Sequence, residues 1–352
     1  MKDSFVKVSD VSLGTFTTLS QAQRALQQGQ LVAFPTETVY GLGASLAHPQ
    51  AIEAIFTLKG RPTGHPLIVH VASVAEAQAL AATWPPAAQT LAQAFWPGPL
   101  TLILPKAAHV PSSVTGGKAT VGIRIPSHPV ALALLAAMDG IGVAAPSANR
   151  FKGLSPTTAA HVRAAFTPQQ LPHVLQGGSA TVGLESTIVD CTTHPDALVL
   201  LRPGAITTQQ LTQATGLPVH YTPSTNGEAA GLLATHYQGN KPLKLYSSQQ
   251  LHSMITAPPH TLGIPQGGAV VLASTPPPAT LPPTLRWEAC LPPTQEVAAY
   301  AQGLYAWLHW ADTLPQAEVW LETPELTPAT LACWDRLSRM LGQPTLCQPL
   351  AH

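Results

Sequence analysis

Apolar residues along the first two hundred positions come in short bursts at two different spacings. Leu31–Phe34 is a four-residue apolar run of the length expected for a buried strand. After Pro49 the apolar positions Ile52, Ile55 and Phe56 fall on one helical face, with the proline opening the helix and Gly60 stopping it. Ser20 is placed to cap an earlier helix that ends at Gly29, and Thr157 to cap one containing Val162 and Phe166. Pro66–Val71 reads as a strand, and Ser73-Val-Ala-Glu76 as a capping box that starts the next helix. Leu100–Leu104 and Val121–Ile125 predict strands, Pro129–Met138 a helix and Gly142–Ala145 a small-residue strand. Ser186–Cys191 and Leu198–Leu201 close the series. This irregular order predicts an α/β fold with a twisted sheet of mixed direction and flanking helices, rather than a regular parallel βαβ array.

The pattern then lapses. Thr222–Gly239 is rich in small and polar residues, shows no hydrophobic period before Leu232-Leu233, and reads as a linker. A second α/β pattern follows, with strands at Leu243–Tyr246, Ala269–Leu272 and Glu318–Glu322. Helices are expected at Gln249–Thr256, Val297–Trp310 and Leu331–Leu341, and Thr275–Pro283 is a proline-rich loop. The expected organisation is a larger α/β unit over residues 16–207, a connecting segment over 208–240 and a small Rossmann-like α/β unit over 241–350.

Composition narrows the possible functions. Seventeen basic residues balance 17 acidic ones in 352, and only 10% of the chain is charged, which argues against a DNA binder that works by neutralising phosphates. An apolar content of 45% is too high for disorder despite 36 prolines. The four cysteines, Cys191, Cys290, Cys333 and Cys347, form no CxxC pair and read as free thiols of a reducing compartment. Met1-Lys-Asp-Ser-Phe5 lacks a signal-peptide pattern and no stretch has the length of a membrane span, so a cytoplasmic protein without a membrane partner is expected. The 14 histidines are scattered and suggest no metal site.

Candidate chemistry gathers at strand ends. Leu31–Phe34 runs into Pro35-Thr-Glu-Thr38, and Lys59 and Arg61 follow the next helix with Gly60 between them. A mobile ammonium beside a planar guanidinium suits a phosphate, although cations also sit at ordinary helix C-termini. The short hydroxyls of the Thr36–Thr38 turn could equally satisfy local backbone groups. Ala145-Pro-Ser-Ala-Asn149 offers a hydroxyl and an amide after a strand, which is also ordinary turn chemistry. Thr120 and Arg124 share one face of a strand, and burying Arg124 among Val121, Ile123 and Ile125 requires an anionic partner, for which a carboxylate ligand would fit. Arg202 repeats that argument, whereas His65 and His70 read as hydrogen-bonding groups. Gly116-Gly-Lys118 is not a P-loop, Gly41-Leu-Gly43 is not a dinucleotide fingerprint, and the separated carboxylates Glu37, Glu185 and Asp190 do not suit a two-metal site.

In combination these segments resemble the YrdC-type threonylcarbamoyl-AMP synthases in their long, two-domain form. The resemblance rests on Phe34–Gly43, Lys59–Leu67, Trp96–Thr101, Val121–Pro126, Ala145–Asn149, Gly183–Ile188 and Leu201–Gly204, which occur in the family's order, and on Gly231–Tyr237 in the linker. Ala230 and Gln238-Gly239 depart from the family's linker pattern, and the C-terminal part is similar chiefly at Asp335-Arg-Leu337. The resemblance implies a nucleotidyltransferase that joins L-threonine, bicarbonate and ATP into threonylcarbamoyl-adenylate and releases pyrophosphate. Its product serves tRNA modification beside the anticodon through a separate transferase, with transient contact to that transferase and tRNA. It implies that Thr38, His70, Arg124, Ala145 (through its backbone) and Ser186 hold threonine. Lys59 and Arg61 would act in catalysis, and Arg61, His65, Thr120, Ser147, Asn149, Ser155, Arg202 and Tyr237 would surround ATP, whose phosphates would carry Mg²⁺. Two other readings are weaker. An RNA-binding module would need more Lys, Arg and interleaved aromatics, and a carbamoyltransferase of related chemistry would need cysteine pairs.

Overall fold

Helix starts and stops follow local chemistry, with the capping residue shifted from its expected place at two of them. In the computed structural model, which describes residues 16–192, 196–221, 233–256, 263–278 and 281–343, α1 (Leu19–Gln27) is capped by Thr18 rather than Ser20. Thr18 is the residue whose side chain reaches the N3 amide of Gln21 in a reciprocal capping box. Next come α2 (Pro49–Lys59), α3 (Val74–Ala79), α4 (Pro86–Phe95), α5 (Ser112–Thr115), α6 (Pro129–Ala136) and α7 (Ala159–Ala165). The last of these is capped by Thr158, not Thr157, which is buried. At α3 Ser73 caps as expected, while Glu76 accepts from the Ala72 amide. The remaining helices are α8 (Thr208–Thr215), α9 (Ser248–Thr256), α10 (Val297–Asp312) and α11 (Leu331–Met340).

The first sheet contains β1 (Val32–Phe34), β2 (Gly41–Ser45), β3 (Ile68–His70), β4 (Leu100–Pro105), β5 (Thr120–Arg124), β6 (Val143–Ala144), β7 (His173–Val174), β8 (Thr187–Asp190), β9 (Leu198–Arg202) and β10 (Val219–Tyr221). Its spatial order is β10-β9-β8-β4-β5-β3-β6-β2-β1-β7, with parallel and antiparallel pairs intermixed. The sequence pattern missed β2 because its two glycines lower the strand signal. Those glycines answer to packing, since a Cβ on Gly43 would lie 2.9 Å from both the Phe34 ring and Val143. The second sheet, β11 (Leu243–Ser247), β12 (Ala269–Ala273), β13 (Leu285–Ala289) and β14 (Glu318–Thr323), is wholly parallel in the order β11-β14-β12-β13. A mixed α/β sheet joined to a small parallel α/β unit is the fold class that the pattern predicts.

One apolar cluster crosses between the two sheets' layers. Val39, Leu154 and Leu184 pack with Tyr300, Leu304, Tyr305 and Leu308 of α10 and with Cys333 and Leu337 of α11. This continuous core holds the second unit against the strand ends of the first. Of the Thr222–Gly239 linker, residues 222–232, including Ala230 and Gly231, lie outside the described residues. So do residues 279–280 of the proline-rich loop, Cys347 and the end of the chain. Among the described residues no helix is long and apolar enough to cross a membrane.

Candidate active site

The hydroxyls after β1 divide between two tasks. Thr36 Oγ1 accepts from the Thr38 and Val39 amides and donates to the Val39 carbonyl at 2.6 Å, so it closes the turn. Thr38 is buried beside it, the two hydroxyls 2.8 Å apart, and its Oγ1 accepts from Arg124 Nη1 at 2.8 Å. Arg124 and His70 are direct neighbours in the β3–β5 register and therefore face the same way. The anionic partner that Arg124 requires comes from the chain itself: Glu37 Oε1 lies 2.7 Å from Nη2, with both side chains buried. The other Glu37 oxygen accepts from the Ser127 amide at 3.1 Å. Burial, with Arg124 adjacent, lowers His70 to about 3, so its ring is neutral.

Lys59 ends α2, and Gly60 in the left-handed region turns the chain there. The ammonium donates to the carbonyls of Ser147 (2.6 Å) and Asn149 (2.5 Å), and so braces the loop after β6. Burial pulls its pKa well below the usual lysine range, and Arg61 adds to the shift. Arg61 donates to the Pro66 carbonyl at 3.2 Å. Burial lowers it to about 10, with Tyr237 opposing and Arg202 reinforcing the shift. Neither cation has a carboxylate within ion-pair distance among the described residues. Arg202 Nε donates to the Ser186 carbonyl and Nη2 to the Ser186 hydroxyl, each at 3.0 Å.

Most of these groups surround one cleft at the strand ends. Of the expected site residues, Thr38, Arg61, His70, Arg124, Ala145, Ser147, Ser186, Arg202 and Tyr237 line it. Lys59, Asn149 and Ser155 stand one layer behind, through their bonds to the Ser147–Asn149 loop and to Glu185. His65 sits beside Phe151, ring centroids 6.1 Å apart, and Thr120 opens β5; neither lines the cleft. His236 and Tyr237 close over the cleft from the linker. Tyr237 takes a left-handed backbone (φ 62°), and the next amide, Gln238, bonds to the Lys152 carbonyl at 2.7 Å. Arg61 Nε, His70 Nδ1, Asn149 Oδ1, His236 Nδ1 and the Tyr237 hydroxyl are buried there without a partner. Native proteins rarely leave so many polar atoms unmatched in one place, so the arrangement points to a polar ligand.

Three carriers of the site escaped sequence reasoning. Glu37 was visible only as a separated carboxylate. Glu185 was too, although it lines the cleft and accepts from Ser155 Oγ (2.5 Å), Tyr305 OH (3.1 Å) and Arg336 Nε (2.8 Å). Burial works to raise the Glu185 pKa, but Arg336 and then Arg202 overcome it and hold the carboxyl at about 2. Arg336, on α11, was legible only as part of the Asp335-Arg-Leu337 resemblance.

A mixed sheet with a cation-lined cleft at its strand ends, closed by a linker from a smaller parallel α/β unit, defines a two-domain protein of the YrdC type. Residues 24–204 match the Sua5/YciO/YrdC family model, described as "Telomere recombination". Residues 206–340 match the model described as "Threonylcarbamoyl-AMP synthase, C-terminal domain". The Bacillus subtilis threonylcarbamoyl-AMP synthase is 41% identical over 247 residues, 68% of this chain and 70% of that protein. The Pyrococcus abyssi enzyme is 43% identical over 217 residues, 60% of this chain and 63% of the relative. A structure of Pyrococcus abyssi Sua5 carrying a His-Tyr double alanine substitution superposes with a TM-score of 0.82 at 33% identity, covering 93% of each chain. A crystal structure of the same protein complexed with L-threonine gives 0.81 at 32% identity, covering 94% of this chain and 96% of that one. The chain belongs to the threonylcarbamoyl-AMP synthase family of enzymes, in its two-domain Sua5 form.

Proposed function

We propose that the enzyme forms L-threonylcarbamoyl-adenylate from L-threonine, bicarbonate and ATP and releases pyrophosphate. The observation that carries this reading is the pair Lys59 and Arg61, buried cations with no carboxylate partner. Desolvating a cation is costly unless an anion compensates it, and a triphosphate would do so. The amino group of threonine attacks the bicarbonate carbon, water leaves, and a carbamate forms. A carbamate oxygen then bonds to the α-phosphorus as the bond to pyrophosphate breaks, with the electron pair leaving on pyrophosphate. Thr38, His70, Arg124, Ser186 and the backbone near Ala145 hold threonine in this reading. Arg61, Arg202, Ser147, Asn149, Ser155 and Tyr237 surround ATP, with His65 and Thr120 at its periphery.

Arg61 stabilises charge on the phosphates, and Lys59 adds its charge from one layer behind while fixing the Ser147–Asn149 loop. No side chain is cast as general base. Catalysis rests on positioning and on exclusion of water by His236 and Tyr237, which protects a labile carbamate. Mg²⁺ would ride mainly on the nucleotide's own phosphates. Glu37 and Glu185 are already engaged by arginines, and among the described residues no three His, Cys, Asp or Glu side chains form a metal-holding group. The product would feed the modification of tRNA next to the anticodon by a separate transferase in the cytoplasm. The deciding experiment incubates the protein with ATP, bicarbonate and each amino acid in turn and measures pyrophosphate. Release dependent on threonine supports the reading, and release indifferent to the amino acid refutes it.

A further inference from the structure

Arg336 is a fully enclosed charge at the boundary between the two units. Its guanidinium, fully excluded from solvent, reaches from α11 to three places. Nε meets Glu185 Oε2 at 2.8 Å, and Nη1 meets both the Pro203 carbonyl and Asp335 Oδ2 at 2.8 Å each. Its carbon centre also lies 5.6 Å from the Tyr237 ring centroid. Asp335 is separately occupied by Arg339 at 2.9 Å and by the Tyr221 hydroxyl at 3.3 Å. The carboxylate that Arg336 neutralises for the first unit is therefore Glu185, which lines the cleft together with Arg61 and Arg202. A bare carboxylate at that wall would repel a polyphosphate and draw the cleft's cations toward itself.

We infer that Arg336 is a positioning residue for the nucleotide, by which the C-terminal unit cancels the Glu185 charge and keeps the cleft's cations available to the phosphates. The bonds that Glu185 accepts from Ser155 and Tyr305 depend on the same pairing, so Arg336 also fixes the hydroxyl of Ser155. This inference rests on the nucleotide reading above and assigns the second unit a part in it. Loss of Arg336 acts on ATP and leaves the threonine side, where Arg124 has its own carboxylate, largely alone.

The test uses the full-length chain as wild type, Arg336→Met, Glu185→Gln and the double variant. The readouts are KM for ATP and for threonine from pyrophosphate release, ATP binding by calorimetry without threonine, and thermal melting. Arg336→Met is expected to raise KM for ATP on the order of 10- to 100-fold, the size of one uncompensated charge acting across roughly 6–12 Å at an effective dielectric constant of about 20. KM for threonine should move about 3-fold at most, a shift of well under one decade. Adding Glu185→Gln should restore ATP affinity most of the way, as expected when the two sites act through one interaction. Glu185→Gln alone strands the Arg336 guanidinium and should melt lower than the double variant, which removes both charges. An unchanged KM for ATP, equal rises in both constants, or a folded double variant that still binds ATP weakly would overturn the inference. If Arg336→Met does not fold, the double variant decides: a KM for ATP close to that of wild type supports the inference, and weak ATP binding by the folded double variant overturns it. A wild type that binds ATP without threonine-dependent pyrophosphate release defeats the proposed reaction instead, and the calorimetric comparison still tests Arg336.

Discussion

Replacing Arg124 with methionine keeps most of the side-chain volume and removes only the guanidinium. In the folded protein this strands Glu37, which is buried and left with the Ser127 amide as its side chain's one remaining donor among the described residues. Breaking a buried pair from one side costs about 3–5 kcal/mol, because the orphaned charge remains. At roughly 2–4 °C per kcal/mol for a large domain, the melting temperature should fall on the order of 10 °C. Adding Glu37→Gln removes the stranded charge and should recover most of that loss, since replacing both partners of a buried pair is often close to neutral. Calorimetric or fluorescence melts of wild type, both single variants and the double variant measure this directly. Kinetics add a second readout: Arg124→Met should raise the KM for threonine far more than that for ATP. The reasoning fails if the single variant melts within a degree or two of wild type, or if the double variant is no more stable than the single. Equal shifts of both KM values would remove Arg124 from the amino-acid side.

Lys59→Met should slow pyrophosphate release by about 100-fold or more while threonine binding by calorimetry persists, the range seen when a charge-stabilising donor is lost; a near-normal rate would sink its role. Gly43→Ala should destabilise by about 1–3 kcal/mol through overpacking against Phe34 and Val143, read by denaturant melts, and an unchanged midpoint would show that the strand can shift. His161 stacks on His309 with centroids 4.0 Å apart, and burial together with that neighbour lowers its pKa to about 3. The unfolded chain therefore takes up a proton below about pH 6.5 that the folded one refuses. Stability is full above that value and is lost as pH falls toward 3. His161→Phe should flatten the stability–pH slope below pH 6.5 by up to about 1.4 kcal/mol per unit, and an identical slope would contradict the assignment.

Much of the fold was legible because strand ends and helix stops are written locally. Gly60, Pro49 and the apolar runs at Leu100 and Val121 each state their conformation within a few residues. What stayed hidden is long-range. Nothing near Glu37 in sequence shows that β5 will bring Arg124 to its side chain, and the anionic partner was therefore sought in a ligand. Nothing near Glu185 announces Arg336, about 150 residues later in the chain, because a pair of this kind exists only once α11 docks. Lys59 was read as pointing at substrate, whereas its ammonium first satisfies two loop carbonyls that only the folded chain presents. The β2 strand was lost for the opposite reason, since glycines chosen for close packing lack the strand signal that packing demands.

The distribution of partnered and unpartnered cations also bears on how two unlike substrates could share one cleft. Free threonine is a zwitterion with no net charge, and the wall assigned to it is balanced in itself by the Arg124–Glu37 pair. ATP carries several negative charges, and the wall assigned to it has Lys59 and Arg61 without carboxylates, while Glu185 is matched by an arginine from the other unit. A site with excess positive charge throughout would bind polyphosphate at the expense of the zwitterion's ammonium group, and a fully balanced one would hold no triphosphate. Under the proposed reaction the carbamate arises where the balanced wall meets the cationic one. Its new negative charge then lies next to the cations that will also stabilise the departing pyrophosphate. Closure by His236 and Tyr237 strengthens that effect, because removing water lowers the local dielectric constant just as charge moves from one half of the cleft to the other.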